Sequence, residues 1–287
     1  MANLKELRRR ISGIQNTRQL TRAMKLVAAA KLRKAQERVE NQRQYARTLE
    51  KISRKVAGSA KEANHPLLAQ RDPGRALVLV LTSDKGLCGS FNSNVLKGME
   101  AFERNELKDV KEISYLAVGR KAHEYMLRTG KTIEHYYEDI LDDFDQGSAL
   151  DVARKISEHY SSADYDAVWV IFNEFKSAIL QRKKTMQLLP ISIEESAEDS
   201  STEHIFEPDT AQILDRLLPK YLLTVIQGAF LESIASETGA RMTAMDSATN
   251  NAGELIDKLS LKYNKARQEA ITTDLMDIVG GAEALNS

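Results

Sequence analysis

From Asn3 to Ala57 the chain has no proline and one glycine, Gly13, and is built largely from Leu, Ala, Lys, Arg and Gln. These residues lose little on entering a helix, and nothing in the stretch stops one. A second such stretch runs from Lys220 to the last residue, again without proline. At 1.5 Å per residue the first would extend roughly 80 Å and the second roughly 90–100 Å, beyond the diameter of an ordinary domain. Helices of that length with a narrow apolar stripe cannot stay isolated in water. The two terminal segments are therefore expected to wind around each other as an antiparallel coiled coil.

The stripes can be traced. Leu4, Leu7, Ile11 and Ile14 are spaced 3-4-3, a coiled-coil seam, and Thr17, Leu20, Met24, Val27 and Ala28 continue it in a drifting register. In the second segment the stripe passes through Leu222, Val225, Ala229, Met242, Met245, Leu255, Ile256, Leu259, Tyr263, Ala266 and Ala270. Gly228, Gly239 and Gly253 weaken that helix without ending it, whereas Pro219 is expected to break it early, after a short helix begun at Asp209. The stripe holds so many Thr, Asn, Ala and Gln that other subunits are expected to contact parts of the rod.

Between the two lies a different pattern. Residues 58–75 contain Gly, Pro, Asn and Asp and read as a connector. Beyond it Ala76–Thr82, Ile113–Val118 and Ala167–Phe172 are β-rich runs of strand length, with Ile133–Tyr137 and Thr185–Leu189 as weaker strands. Asn94–Asn105, Gly119–Thr129 and Ser148–Ser161 read as helices between them. This alternation predicts a Rossmann-like α/β domain with a largely parallel sheet. Pro190 and the acidic run SIEESAEDSSTEH close it as a loop. The expected organisation is an N-terminal coiled-coil helix over 1–57, an inserted α/β domain over 76–208 and a C-terminal helix over 209–287.

Formal net charge is zero, yet residues 1–57 carry 16 Lys and Arg against 4 Asp and Glu, leaving 25 against 37 for the rest. A basic helix beside an acidic remainder is a solvated face, a nucleic-acid binder or a surface for an acidic protein. Aromatic side chains for stacking on bases are nearly absent from it, Tyr45 alone appearing. The single cysteine, Cys88, excludes an internal disulfide and fits a reducing compartment. The arginines at 8–10 are followed by a mostly polar run, so no secretory signal is expected. The longest apolar run, Ala76–Leu81, is far short of the ~20 residues that span a bilayer.

The stretch LTSDKGLCGSFNSN, residues 81–94, sits where α/β proteins hold phosphate or place a nucleophile. It lacks the Gly-Lys-Ser/Thr of a phosphate loop, the glycine spacing of a dinucleotide fingerprint and the G-x-S-x-G of a nucleophile elbow. Gly86, Cys88 and Gly89 are read as a tight turn with a small buried thiol. His65, His123, His135, His159 and His204 show no metal-ligand spacing. Asp142, Asp143 and Asp145 lack the rest of a calcium loop, and Asp164 and Asp166 read as turn residues. No cofactor or metal is expected.

Four segments carry a resemblance. The run RRRISGIQNTRQLTRAMKLVAAAKLRKAQ resembles the first helix of the gamma subunit of rotary F-type ATP synthases. SDKGLCGSFN resembles that family's S-D-[RK]-G-L-C-G turn, and FNEFKSAILQ followed by LLP its central segment. ARQEAITTDLMDIVGGAEAL is similar to the family's C-terminal signature, with Asp274 where Glu is usual. That departure keeps the charge and shortens the reach by one methylene.

The resemblance implies a non-catalytic rotor shaft. Its coiled coil would stand inside a ring of alpha and beta subunits. Its α/β foot would meet the epsilon subunit and the membrane ring of c subunits, on the cytoplasmic face of the inner membrane. By the same resemblance Arg267, Gln268, Thr272 and Asp274 align with positions that hydrogen-bond a loop of beta. Met24 and Lys25 align with the contact region near the mouth of the ring, and the basic helix would face an acidic region of beta. The small apolar end, Ile278–Gly281 with Ala282 and Ala284, would suit a shaft tip turning in a sleeve. Two competing readings are a nucleic-acid-binding module using the basic helix and a nucleotide-using enzyme built on the Gly86–Gly89 turn.

Overall fold

The computed structural model describes residues 2–59, 65–72, 74–191 and 210–285. The acidic run read as a loop, with His204 in it, lies outside the described residues, as does part of the connector. The elements in order are α1 (Ala2–Ser59), a 3₁₀ turn (Pro66–Leu68), β1 (Arg75–Leu81), α2 (Phe91–Asn105), β2 (Glu112–Val118), α3 (Arg120–Arg128), β3 (Thr132–Tyr137), α4 (Gln146–Ser161), β4 (Ala167–Phe175), β5 (Gln181–Leu189) and α5 (Thr210–Leu285). They form two compact units, residues 29–241 and residues 1–28 with 242–287, so that α1 and α5 contribute to both.

In the larger unit the sheet order is β3-β2-β1-β4-β5. β1 is parallel to β2 and β4, and β2 to β3, while β5 returns antiparallel along β4. Six consecutive residues of β1, Ala76 to Leu81, are buried, as expected of a central parallel strand covered on both faces. On one face Val78, Val80, Tyr115, Ala117 and Ile171 pack with Val95, Met99 and Phe102 of α2 and Ala122 and Met126 of α3. On the other, Leu77, Leu79, Leu81, Leu116, Val168 and Val170 pack with Val152, Ile156 and Tyr160 of α4 and Leu214, Leu218, Leu222, Ile226 and Phe230 of α5.

Pro219 does not break α5, contrary to the sequence expectation, and lies inside it. It is exposed, so the carbonyl one turn earlier, at Asp215, loses its partner where water can replace it. Leu214, Leu218 and Leu222, all buried against the sheet, hold the helix across that gap.

In the smaller unit the contacts run antiparallel. Arg8 donates to the Tyr263 hydroxyl at 3.2 Å, the Thr21 and Thr249 hydroxyls lie 2.8 Å apart, and Lys25 donates to Asp246 at 2.6 Å. The seam of α1 does not drift. It steps through Leu4, Leu7, Ile11, Ile14, Arg18, Thr21, Lys25 and Ala28, alternating three and four. Leu20 and Val27, assigned to the seam from sequence, are 62% and 59% exposed. The trace from sequence, Thr17 included, misses the polar seam positions Arg18, Thr21 and Lys25. Arg18, for instance, lies 3.5 Å from the point where a Cβ on Gly253 would sit. On α5 the seam runs Met242, Met245, Thr249, Ala252, Ile256, Leu259, Tyr263, Ala266 and Ala270, and Leu255 falls outside it, exposed.

Candidate functional site

In doubly wound sheets ligands bind outside the carboxyl ends of the strands, where the strand order reverses. Here that point lies between β1 and β4, and protein fills it. The Glu232 carboxylate of α5 accepts from the Phe175 backbone N–H at 2.8 Å, at the end of β4. One turn on, the Ser236 hydroxyl donates to the Asn173 carbonyl at 2.9 Å. A Cβ on Gly239 would stand 3.2 Å from the Ala178 Cα, so the helix backbone lies against the β4–β5 hairpin. Arg241 donates to the Gly86 carbonyl at 3.2 Å and pairs with the buried Glu237, whose carboxyl is pushed up by burial. A helix occupies the crevice that a nucleotide would need.

The β1–α2 turn is likewise bonded largely from within. The Ser83 N–H donates to Asn92 Oδ1 at 2.9 Å, and Asn92 Nδ2 donates to Ser83 Oγ at 2.9 Å and to Cys88 Sγ at 3.3 Å. Asp84 accepts from the Arg120 N–H at 2.8 Å, a carboxylate at the start of α3, yet burial still pushes its pKa up. Gly89 takes φ 56°, a conformation glycine adopts freely, while Leu87 holds φ 64° with its side chain in solvent. Cys88 is buried and burial raises its pKa, so the thiol stays protonated at neutral pH. Cys88 is expected to resist maleimide at pH 7 in the folded chain and to react fully in denaturant. Rapid labelling of the native chain would contradict the buried turn.

The remaining sequence-derived candidates lie in the smaller unit. Lys25 is paired with Asp246, and Met24 beside it is half-buried. Arg267, Gln268, Thr272 and Asp274 are all exposed, and the Thr272 hydroxyl donates back to the Gln268 carbonyl at 2.9 Å. Gln268 and Thr272, four apart, share a helix face. Among the residues of α5 whose burial is described, Ala270 is the last half-buried one, and 271–282 are exposed throughout. That end displays Leu275, Met276, Ile278 and Val279, each more than half exposed. An apolar helix end that none of the described residues covers marks a contact surface.

Sequence reasoning missed Arg43 and Glu232. Arg43 Nε donates to Glu232 Oε1 at 2.7 Å and Nη2 to Oε2 at 3.0 Å, and this bond is the first cause of the raised Arg43 pKa. The signal was a lone acid within the apolar run Ala229–Ala235. Of the aspartates read as loop or turn residues, Asp145 caps α4 by accepting from the Ser148 N–H, and Asp166 accepts from the Gly74 and Arg75 N–H groups. Among the described residues no group of His, Cys, Asp and Glu is arranged to hold a metal ion. No described helix is long and apolar enough to cross a membrane.

The chain matches the ATP synthase family over residues 3–285. The ATP synthase gamma chain of Geobacter metallireducens is 46% identical over 286 residues, 99% of either chain. The chain belongs to the ATP synthase gamma family. The gamma chain of Heliobacterium modesticaldum is 44% identical, over 99% of this chain and 100% of its own. Among solved structures, a chain of the central stalk and c-ring of Tetrahymena thermophila mitochondrial ATP synthase aligns with a TM-score of 0.61 at 27% identity, covering 80% of this chain and 99% of its own. A chain of the Euglena gracilis mitochondrial ATP synthase, in an assembly of OSCP, F1 and c-ring, shares the fold with a TM-score of 0.72 at 19% identity, covering 99% of this chain and 95% of its own. Nothing in these likenesses favours nucleic acid.

Proposed function

We propose that the chain is the central rotor shaft of an F-type ATP synthase, itself non-catalytic, on the cytoplasmic face of the inner membrane. The observation that carries this is the bare apolar end of α5 in a chain that aligns end to end with gamma chains. Ion flow turns a ring of c subunits and the α/β unit turns with it, bound also to epsilon. The helix pair stands within a ring of alpha and beta subunits and presents a different surface to each catalytic site. Differential contact free energy then favours a different conformation at each site, which is what any coupled equilibrium requires. ATP hydrolysis runs the cycle backwards and pumps ions.

Arg267, Gln268, Thr272 and Asp274 supply the hydrogen bonds to a loop of beta, and Met24 and Lys25 the contact near the mouth of the ring. The exposure of the first four is what such contacts require. Alpha and beta subunits from the same source, reconstituted with the chain, should hydrolyse ATP much faster than without it. Activity indifferent to the chain would overturn the reading. Gln268→Ala with Thr272→Ala should weaken ATP-driven proton pumping in the whole complex several-fold. Both sites are exposed, so chain stability should move by less than about 0.5 kcal/mol. Unchanged pumping in that variant would remove these two residues from the interface.

A further inference from the structure

A shaft passes torque only if the element that is turned and the element that turns the sites cannot slide past each other. Apolar burial resists separation, but the hydrophobic effect itself has no preferred direction and specifies position only through shape. Directional bonds to backbone atoms resist sliding, since their geometry fixes position. Such bonds converge where α1, α5 and the end of β4 meet in the larger unit. Glu232 of α5, nearly buried, accepts from Arg43 of α1 through both carboxylate oxygens and from the Phe175 N–H of β4. Arg43 Nη2 also donates to the Phe175 carbonyl at 2.8 Å. One residue pair thus holds both main-chain polar groups of Phe175. The next turn of α5 repeats the tie, with Ser236 donating to the Asn173 carbonyl, while Asn173 Nδ2 donates to the Phe91 carbonyl at 3.0 Å. The chain of bonds therefore runs from α1 through α5 and β4 to the start of α2.

We propose that the Arg43–Glu232–Phe175 clamp is the joint through which rotation passes between the sheet and the two long helices, with Glu232 as its positioning residue. The proposal rests on the rotor reading above. A paired guanidinium and carboxylate suit the task because two parallel charge-assisted bonds fix orientation as well as distance. Neither residue touches nucleotide; both act by keeping the helices in register with the sheet.

The test uses the whole ATP synthase in vesicles and reads ATP hydrolysis and ATP-driven proton pumping side by side. Glu232→Gln leaves a donor of Phe175 or Arg43 facing the new amide. It should keep most of the hydrolysis that depends on the chain and lose most of the pumping, because the helices slip against the sheet. Arg43→Lys keeps the charge, loses the fork and should show a milder loss of the same kind. Since Glu232→Gln can simply fail to fold, Arg43→Lys decides the matter whenever both activities disappear in the first variant. Pumping and hydrolysis both retained, or lost in strict proportion in both variants, would overturn the proposal. A wild-type chain that leaves hydrolysis unaffected would instead overturn the rotor reading itself.

Discussion

Gly119→Ala is expected to unfold the larger unit at far lower denaturant than any other single glycine substitution in it. Gly119 joins β2 to α3 with φ 83° and ψ 145°, a region open to glycine almost alone. A Cβ there would stand 2.0 Å from the Thr82 carbonyl oxygen and 2.6 Å from its carbon. That backbone cannot retreat. The Thr82 N–H donates to the Val118 carbonyl at 2.9 Å, and its hydroxyl accepts from the Ala122 N–H at 2.8 Å. Clash and strain together should cost roughly 3–5 kcal/mol, a large share of the ~5–15 kcal/mol that holds a native domain. Gly130 is the control. It has φ 65° but nothing within 4 Å of a built Cβ, so Gly130→Ala should cost only the left-handed penalty of about 1–2 kcal/mol. Equal denaturation midpoints for the two variants would rule out the close approach at Thr82.

The second large effect concerns assembly. Leu275→Glu with Ile278→Glu should leave the isolated chain as stable as before, because the two side chains are 57% and 68% exposed. On the rotor reading proposed above, the same change removes apolar contact in the reconstituted complex and places charge inside the surrounding ring. A loss of about 1–2 kcal/mol per residue corresponds to roughly tenfold weaker association for each. The readout is the chain concentration that half-saturates stimulation of ATP hydrolysis by alpha and beta. An unchanged half-saturation point would mean that this end of α5 is not gripped.

The strands and helices of the α/β unit were legible because each obeys its own period. Ala76–Leu81 reads as a buried strand, and Ser148–Ser161 carries most of its apolar residues on one face, Leu150 excepted. β5 was seen only from Thr185, whereas it begins at Gln181. Residues Gln181–Lys184 have no apolar signal. They are held by pairing with β4, and their charges suit an edge that must not recruit another strand. Polar seam positions hid the register of the coil for a related reason. Arg18, Thr21 and Lys25 look like surface until their partners on α5 are known. The clamp was illegible because it forms among α1, β4 and α5, and no local pattern encodes a bond between residues 189 positions apart. The turn at Gly86–Gly89 was readable by elimination, but the helix that closes the crevice beside it was not.

The antiparallel pairing of the chain's two ends also sets an order of events at the ribosome. Arg8 meets Tyr263 across 255 residues and Lys25 meets Asp246 across 221. The first helix therefore emerges long before its mate exists, while the sheet can close as soon as β5 is made. Contacts this remote form late and slowly, because a long loop must close before they stabilise anything. During that interval Leu4, Leu7, Ile11 and Ile14 stay bare on a basic, half-formed helix. The waiting time is written into the topology rather than into any single residue.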